Sequence, residues 1–385
     1  AEDGFSDREG ISVRPSSGLH AVDYLCSVVG KEGSYVLAHL INSLKAGGFT
    51  PQNLDAFPYD WRLPPNKLEE RDGAFTALQH RIELMVKLNS GKRVILMGHS
   101  MGNKFIHYFL FWAEQNLGRP WIDANVRCFM ALGAPWIGAA KAVRALITGD
   151  AMGLDLFLSY DETLAMSRNF GSACWLVPND GEAWREAGME SVIYEYDRET
   201  KTHPPAAYDH LLDHCEKHKQ MNATLYDADP LYGGCLDGSG IPTVLRPPPV
   251  AELVCIYGKN LPTEVSYIYK KLRDPKLNTY GEPVTHKLDR SHKAAKRVLA
   301  GKQGFEAKHG IIYKVPATTD SGEALPSGDG TVPYVSLSYH KRWEGLPGAP
   351  KITTVEVEGA EHREMLSMPL VLGPILHRIN GVTSA

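Results

Sequence analysis

Gly98-His99-Ser100-Met101-Gly102 forms a G-x-S-x-G sequence, and its setting gives it chemical meaning. It lies between an apolar run at 93–97 and a stretch of helical spacing that begins near Asn103. A sharp strand-to-helix turn lifts a serine hydroxyl clear of a sheet, and the flanking glycines leave room where a side chain would clash. The same turn aims the backbone N–H of Met101 at a reacting carbonyl oxygen, which makes Met101 the expected oxyanion donor. A Gly-rich turn with a capping serine shares these letters, but the strand before and the helix after favour a nucleophile.

A serine hydroxyl is a weak nucleophile near neutral pH. It needs a base, and the base needs an orienting carboxylate. In such folds the chain order is Ser, then Asp or Glu, then His. Fifteen histidines are available. His362 follows a strand-like run at 351–357, in the turn Gly359-Ala360-Glu361-His362, which is where a base is presented. His309 and His340 are rivals on spacing. Asp329 sits in Ser327-Gly328-Asp329-Gly330-Thr331-Val332-Pro333, a Gly-flanked loop beyond a strand pattern at 310–315. A plain turn would also use an aspartate there.

These residues need a scaffold. With 385 residues, 43% hydrophobic and 22% charged, the chain can bury a large core as one domain or two. Residues 34–46 have helical spacing, 69–88 read as one long amphipathic helix, and 101–116 read as another. Val126–Leu132 is an apolar run that ends at Gly133-Ala134-Pro135. This alternation predicts an α/β architecture of the α/β-hydrolase type, a mostly parallel sheet flanked by helices. From about 177 to 249 the pattern turns irregular, polar and rich in Tyr, His, Asp and Pro. It reads as a cap or lid insertion with its exit at Pro247-Pro248-Pro249. Strand patterns return at 252–257, 310–315 and 351–357. The expected organisation is an N-terminal core part over 1–176, a cap over 177–250 and a C-terminal core part over 251–385.

Composition excludes other classes. The net charge is −4, and no long Lys/Arg block or basic face stands out, so nucleic acid is not an expected partner. No apolar run approaches the roughly 18 residues of a membrane-spanning helix; the longest, 105–113 and 368–376, fit buried elements. Cys26, Cys128, Cys174, Cys215, Cys235 and Cys255 are scattered without a CxxC pair. Asn222-Ala223-Thr224 is a glycosylation sequon that matters only in a secretory compartment. His210, His214 and His218 recur every four residues beside Cys215, as on one face of a helix. A solvated polar helix explains them as well as a metal site does. The serine chemistry asks for no metal or nucleotide, and no cofactor is expected.

Five blocks, in order, resemble the lecithin:cholesterol acyltransferase family, which includes phospholipid:diacylglycerol and phospholipid:sterol acyltransferases. They are Pro58-Tyr59-Asp60-Trp61-Arg62, Gly98-His99-Ser100-Met101-Gly102-Asn103, Leu132-Gly133-Ala134-Pro135-Trp136, Gly328-Asp329-Gly330-Thr331-Val332 and Gly359-Ala360-Glu361-His362. The resemblance implies Ser100 as nucleophile, His362 as base and Asp329 as its carboxylate. Tyr59, Trp61, Arg62 and Trp136 become candidates for substrate or lid contacts. A packed loop with a buried ion pair is the equal alternative for the first three, and packing is the alternative for the cluster Trp112, Trp121 and Trp136. The implied reaction moves an acyl group from a phospholipid donor to diacylglycerol or a sterol, at a membrane or lipid-droplet surface. A phospholipase A or lipid hydrolase would use the same residues. A catalytically weak lipid-binding protein is the reading from another class. The family also implies a mobile lid, placed at 177–204, where Trp184, Met189, Ile193 and Tyr194 mix with charges.

There are two departures from the family. Its members begin with an apolar strand and a Pro-Gly turn that supplies a second oxyanion N–H. This chain shows no such element before Ser100 and reads as starting downstream of it; either the chain is truncated or another loop does that job, and the second donor is unknown. Secreted members carry a disulfide whose first cysteine matches Cys255. The partner position here is His340, so that bridge is not expected. With the blocks at 24–61 and 67–72, this favours the plant and algal intracellular branch, membrane-associated at the endoplasmic reticulum.

Overall fold

The computed structural model describes residues 6–7, 9–24, 35–150, 158–179, 181–189, 192–196, 205–206, 220 and 245–380. Its central sheet has four strands in the order β1 (Val94–His99), β2 (Val126–Leu132), β5 (Glu252–Lys259) and β12 (Lys351–Glu358), numbered along the chain. All three pairings are parallel. The inner strands β2 and β5 are buried along nearly their whole length, as expected of parallel strands covered on both faces. Alternate residues serve opposite layers. Phe129, Leu253 and Cys255 face one core, and Met130, Leu132, Val254 and Ile256 face the other.

The helix Met101–Leu117 packs in the first layer and is buried without interruption from Asn103 to Phe111. This explains why the apolar run at 105–113 is too short to span a membrane and still almost wholly apolar. Phe75, from the helix Ala74–Leu88, meets Phe105, Tyr108, Phe109 and Trp112 with ring centroids 5.3–6.2 Å apart. The helices Ala38–Ala46 and Pro369–Asn380 supply the second layer through Leu40, Leu44, Val371 and Ile375. The architecture is therefore the α/β one: a mostly parallel sheet between helices. Among the described residues no helix is long and apolar enough to cross a membrane.

The single helix expected over 69–88 is two helices, Pro65–Asp72 and Ala74–Leu88. Gly73 at φ 58° divides them, a left-handed conformation that glycine adopts without steric cost. The Glu69 carboxylate then turns back and accepts the N–H groups of Phe75 at 2.6 Å and Thr76 at 3.1 Å. The amphipathic period runs across the break, so periodicity alone does not reveal it.

A second sheet lies beside the first. It combines β3 (Ile193–Tyr196), β4 (Pro205–Ala206), β6 (Thr263–Leu277), β7 (Pro283–Leu288), β8 (Phe305–Lys308) and β9 (Ile311–Lys314). β3 runs parallel to β6, and the other pairs are antiparallel. The strand pattern at 310–315 is β9 and belongs here. A two-residue hairpin, β10 (Ala317–Thr318) with β11 (Ala324–Leu325), follows.

The stretch 177–196, read as lacking period, contains the helix Gly181–Glu186 and β3. Elements of six and four residues are too short to show a period, and β3 is set by its pairing with Tyr267–Lys270 far along the chain. Trp184, Met189, Ile193 and Tyr194 are buried, so these apolar side chains pack inward. The remainder of the proposed lid, 197–204, lies outside the described residues. So do His210, His214, His218, Asn222, Cys26, Cys215 and Cys235.

At Gly258 in β5, an added Cβ would come within 1.8 Å of the Ala360 carbonyl oxygen. Ala360 opens the loop that carries His362, so β5 and that loop touch backbone to backbone. Gly258→Ala is expected to cost about 3 kcal/mol or more by forcing that backbone aside. Denaturant unfolding measures it, and an unchanged midpoint would show that the loop yields freely.

Candidate active site

Ser100 stands between the end of β1 and the start of the helix Met101–Leu117, at φ 52° and ψ −126°. A non-glycine residue rarely holds positive φ, so its surroundings must enforce it. The Ser100 N–H donates to the Leu132 carbonyl at 3.0 Å. The Ser100 carbonyl accepts the Asn103 N–H and the Asn103 side-chain amide, both at 3.0 Å. The same amide also donates to the Leu132 carbonyl at 2.9 Å. Asn103 thus ties the turn to the end of β2. Gly98 completes it, because an added Cβ would lie 2.8 Å from the Asn103 Oδ1. Met101 opens the helix, where an N–H has no carbonyl one turn back to bond, and it is free to face a ligand.

His362 meets this turn from the loop after β12. Its Nε2 is 2.8 Å from the Ser100 Oγ, and its Nδ1 is 2.6 Å from the Asp329 Oδ2. A carboxylate only accepts, so Nδ1 carries the proton and Nε2 is left to accept from the serine hydroxyl. The other carboxylate oxygen of Asp329 accepts the N–H groups of Val332 at 2.7 Å and Thr331 at 3.1 Å. The Gly330 N–H donates to the Thr263 hydroxyl at 2.9 Å, which anchors the loop to the first residue of β6. Asp329 is wholly buried and His362 nearly so. The structure therefore brings Ser100, His362 and Asp329 into one hydrogen-bonded line. Burial alone would push the His362 imidazole down, but the charge and hydrogen bond of Asp329 outweigh it and leave the pKa above the usual 6.5.

The His362 main chain is held at both ends. Its N–H donates to the Asp329 carbonyl at 3.0 Å. Its carbonyl lies 2.8 Å from Nε2 of His99, the second residue of the G-x-S-x-G sequence. Burial, then the neighbouring His362, lowers the His99 pKa to about 3. The ring is neutral at physiological pH, and its Nε2–H donates to that carbonyl. Sequence reasoning used the serine and glycines of the motif and passed over His99 and Asn103, although both letters were in the quoted block.

Lys104 was also missed. Its side chain is 1% exposed, and Nζ donates to the Trp136 carbonyl at 2.5 Å. Burial lowers its pKa to about 7. Only the largely apolar run that follows this lysine in the sequence, from Phe105 on, hints at its burial.

The remaining candidates are placed as follows. Arg62 is bound to Asp60 by two hydrogen bonds of 2.7 Å, and Arg71 adds a third of 2.7 Å. Burial would raise the Asp60 pKa, but the two guanidiniums hold it at about 2. Tyr59 stacks on Phe105 at 4.2 Å. Trp61 is 48% exposed and meets Phe170 edge-on at 5.1 Å. Trp136 is fully buried against His107, Phe129 and Trp343, so its ring packs the core. Trp112 stacks on Phe109, and Trp121 meets Phe109 edge-on while its Nε1–H donates to Glu83. Of the rival histidines, His309 is exposed in the turn between β8 and β9. His340 is buried, with Nδ1 3.0 Å from the Leu337 carbonyl and Nε2 2.8 Å from the Thr354 hydroxyl. Cys128, Cys174 and Cys255 are buried free thiols. Among the described residues no cluster of three or more His, Cys, Asp or Glu could hold a metal.

In relation to known proteins, the chain is 25% identical to a phospholipid–sterol O-acyltransferase of Arabidopsis thaliana, over 91% of this chain and 60% of the relative. It is 26% identical to a phospholipid:diacylglycerol acyltransferase of Schizosaccharomyces pombe, over 91% of this chain and 58% of the relative. It is 28% identical to a lysosomal phospholipase A and acyltransferase of Rattus norvegicus, over 93% of this chain and 70% of the relative. The chain thus spans somewhat more than half the length of the first two. The family description for lecithin:cholesterol acyltransferase matches residues 2–228 and 240–369. With nearly the whole chain matched, the protein belongs to the lecithin:cholesterol acyltransferase family.

Proposed function

We propose that the protein transfers a fatty acyl group from a phospholipid to a lipid alcohol, diacylglycerol or a sterol, through an acyl-serine at Ser100. The observation that carries this is the hydrogen-bonded line Ser100–His362–Asp329. His362 Nε2 takes the hydroxyl proton as Ser100 Oγ attacks the ester carbonyl. The Met101 N–H faces the developing oxyanion, and losing one such donor commonly costs about 10²–10³ in rate. His362 then gives its proton to the departing lysophospholipid. In the second half the acceptor hydroxyl loses its proton to His362 and attacks the acyl-serine; the acyl–Oγ bond breaks, the new ester leaves, and His362 returns the proton to Ser100 Oγ. Asp329 stabilises the imidazolium in both halves without itself taking the proton. We place this activity at a membrane or lipid-droplet surface, in the endoplasmic reticulum.

A second reading is a phospholipase A, with water as the acceptor. It is favoured by the name of the lysosomal relative, which joins both activities. The first half-reaction is the same, and the outcome depends on how well the acyl-enzyme is shielded from water.

Purified protein given labelled phosphatidylcholine and either diacylglycerol or sterol is expected to place label in triacylglycerol or steryl ester. Label only in free fatty acid would establish the hydrolase instead. Ser100→Ala is expected to abolish turnover and fluorophosphonate labelling while leaving the unfolding transition within about 0.5 kcal/mol, since it opens no large cavity. Turnover retained by that variant would place the nucleophile elsewhere.

Because the His362 pKa lies above 6.5, acidification protonates the base sooner than it would a free imidazole. The acid limb of the kcat/KM profile is therefore expected above pH 6.5. Asp329→Asn removes the groups' attraction and leaves burial. The residual activity, lower by about 10⁴, is then expected to have its acid limb at lower pH. A limb that stays in place would mean that another group is titrating.

A further inference from the structure

Twelve of the chain's 41 Lys and Arg lie between Lys270 and Lys314, against four Asp and Glu, a local charge of +8 on a chain of net −4. They are spaced along the sequence and form no block, which is why no basic face was legible there. Eight of them lie on two elements: Lys270, Lys271, Arg273, Lys276 and Lys287 on the hairpin β6–β7, and Lys293, Lys296 and Arg297 on the helix His292–Val298, which packs through Ala294 and Val298 against the core that includes Val265, Ile268 and Ile312.

Like charges are set side by side in this region. Lys270 and Lys287 are directly opposite across the β6–β7 ladder, an arrangement that destabilises a sheet. Buried Asp289 reaches Lys270 at 3.5 Å. On the helix, Lys293, Lys296 and Arg297 occupy the i, i+3 and i+4 positions and are all exposed, where repulsion again opposes the fold. Lys271, Arg273, Lys276, Lys287, Lys293 and Lys296 make no ion pair among the described residues. At the hairpin's end Leu277 is 70% exposed, and nearby Tyr280 donates its hydroxyl to Glu162 at 3.0 Å. Cations concentrated against their own repulsion, with an exposed leucine at the rim, complement a negatively charged surface with an apolar interior.

We propose that the β6–β7 hairpin and the helix His292–Val298 form a docking surface for anionic phospholipid membranes. Lys287, Lys293, Lys296 and their neighbours face the headgroups, and Leu277 enters the interface. A lipid surface is favoured over a soluble polyanion by the exposed Leu277 and by the proposed phospholipid chemistry, on which the choice of lipid rests. Basic clusters of this size bind anionic bilayers electrostatically, and apolar anchors add to the attraction.

The test is co-sedimentation of the full chain with vesicles of phosphatidylcholine alone and of phosphatidylcholine with phosphatidylglycerol. The wild type is expected to bind the mixed vesicles at least about tenfold more tightly, with the preference lost as the Debye length shrinks from about 10 Å at 0.1 M salt to about 3 Å at 1 M. The combined variant Lys287→Glu, Lys293→Glu, Lys296→Glu is expected to lose the preference while Ser100 still reacts with a soluble fluorophosphonate. That reaction reports a folded site. Leu277→Ser alone, which leaves the charges, is expected to weaken binding to the mixed vesicles several-fold. Equal binding of both vesicles by the wild type, or a preference kept by the triple variant, overturns the proposal. Retention on heparin or duplex DNA without vesicle binding overturns it too and assigns the patch to a soluble polyanion. Failure of acyl transfer in the earlier assay would not alter the vesicle result, so the two readings fail separately.

Discussion

The backbone of Ser100 is the constraint around which the rest of the site is arranged. A non-glycine residue at positive φ costs on the order of 1–3 kcal/mol, and the fold holds it there with four hydrogen bonds at 2.9–3.0 Å that join Ser100, Asn103 and Leu132. These bonds are available only because β1 and β2 are in parallel register, with His99 beside Leu132. The neighbouring strand's last residue therefore fixes the turn. The bare carbon of Gly98 is then a requirement, because Asn103 occupies the space its side chain would take.

Burial alone does not decide the charge state of the groups around this turn. His107 and His340 are buried and His99 half-buried, and desolvation lowers their pKa values to about 3, about 4 and about 3 in turn. His362 is as well buried and is shifted the other way. What differs is the carboxylate of Asp329 at 2.6 Å. Neutral imidazoles can then serve as fixed hydrogen-bond donors, as His99 does toward the His362 carbonyl. Of these four imidazoles, the one beside a carboxylate stays able to gain and lose a proton. Lys104, pushed down to about 7 with the Trp136 carbonyl as its acceptor, belongs with the groups governed by desolvation.

The parts legible in the sequence were those encoded locally. The strand, turn and helix around Ser100 announce themselves within 25 residues, and the loops of Asp329 and His362 follow recognisable strands. The second sheet was not legible. β3 is four residues long and gains its definition from β6, more than sixty residues later, so no local window contains the information. Its neighbour β6 runs from the buried, aromatic Tyr267 and Tyr269 into the exposed, charged Lys271 and Arg273, a composition that reads as two different things. The break at Gly73 was hidden because both helices keep the same apolar face. The basic face was hidden because its charges are brought together by pairing and packing.

The order of the central sheet, β1-β2-β5-β12, also governs how the chain is built. Synthesis delivers the first three strands in spatial order, so each can dock on the one before it as it emerges. Ser100 is in place early, together with its turn. Asp329 and His362 arrive later, and the His362 loop is not fixed until β12 closes against β5. A partly made chain can thus hold a shaped but chemically idle serine, with its base still unsynthesised. The Ser100–His362–Asp329 line therefore closes only after the last parallel strand has been made and docked.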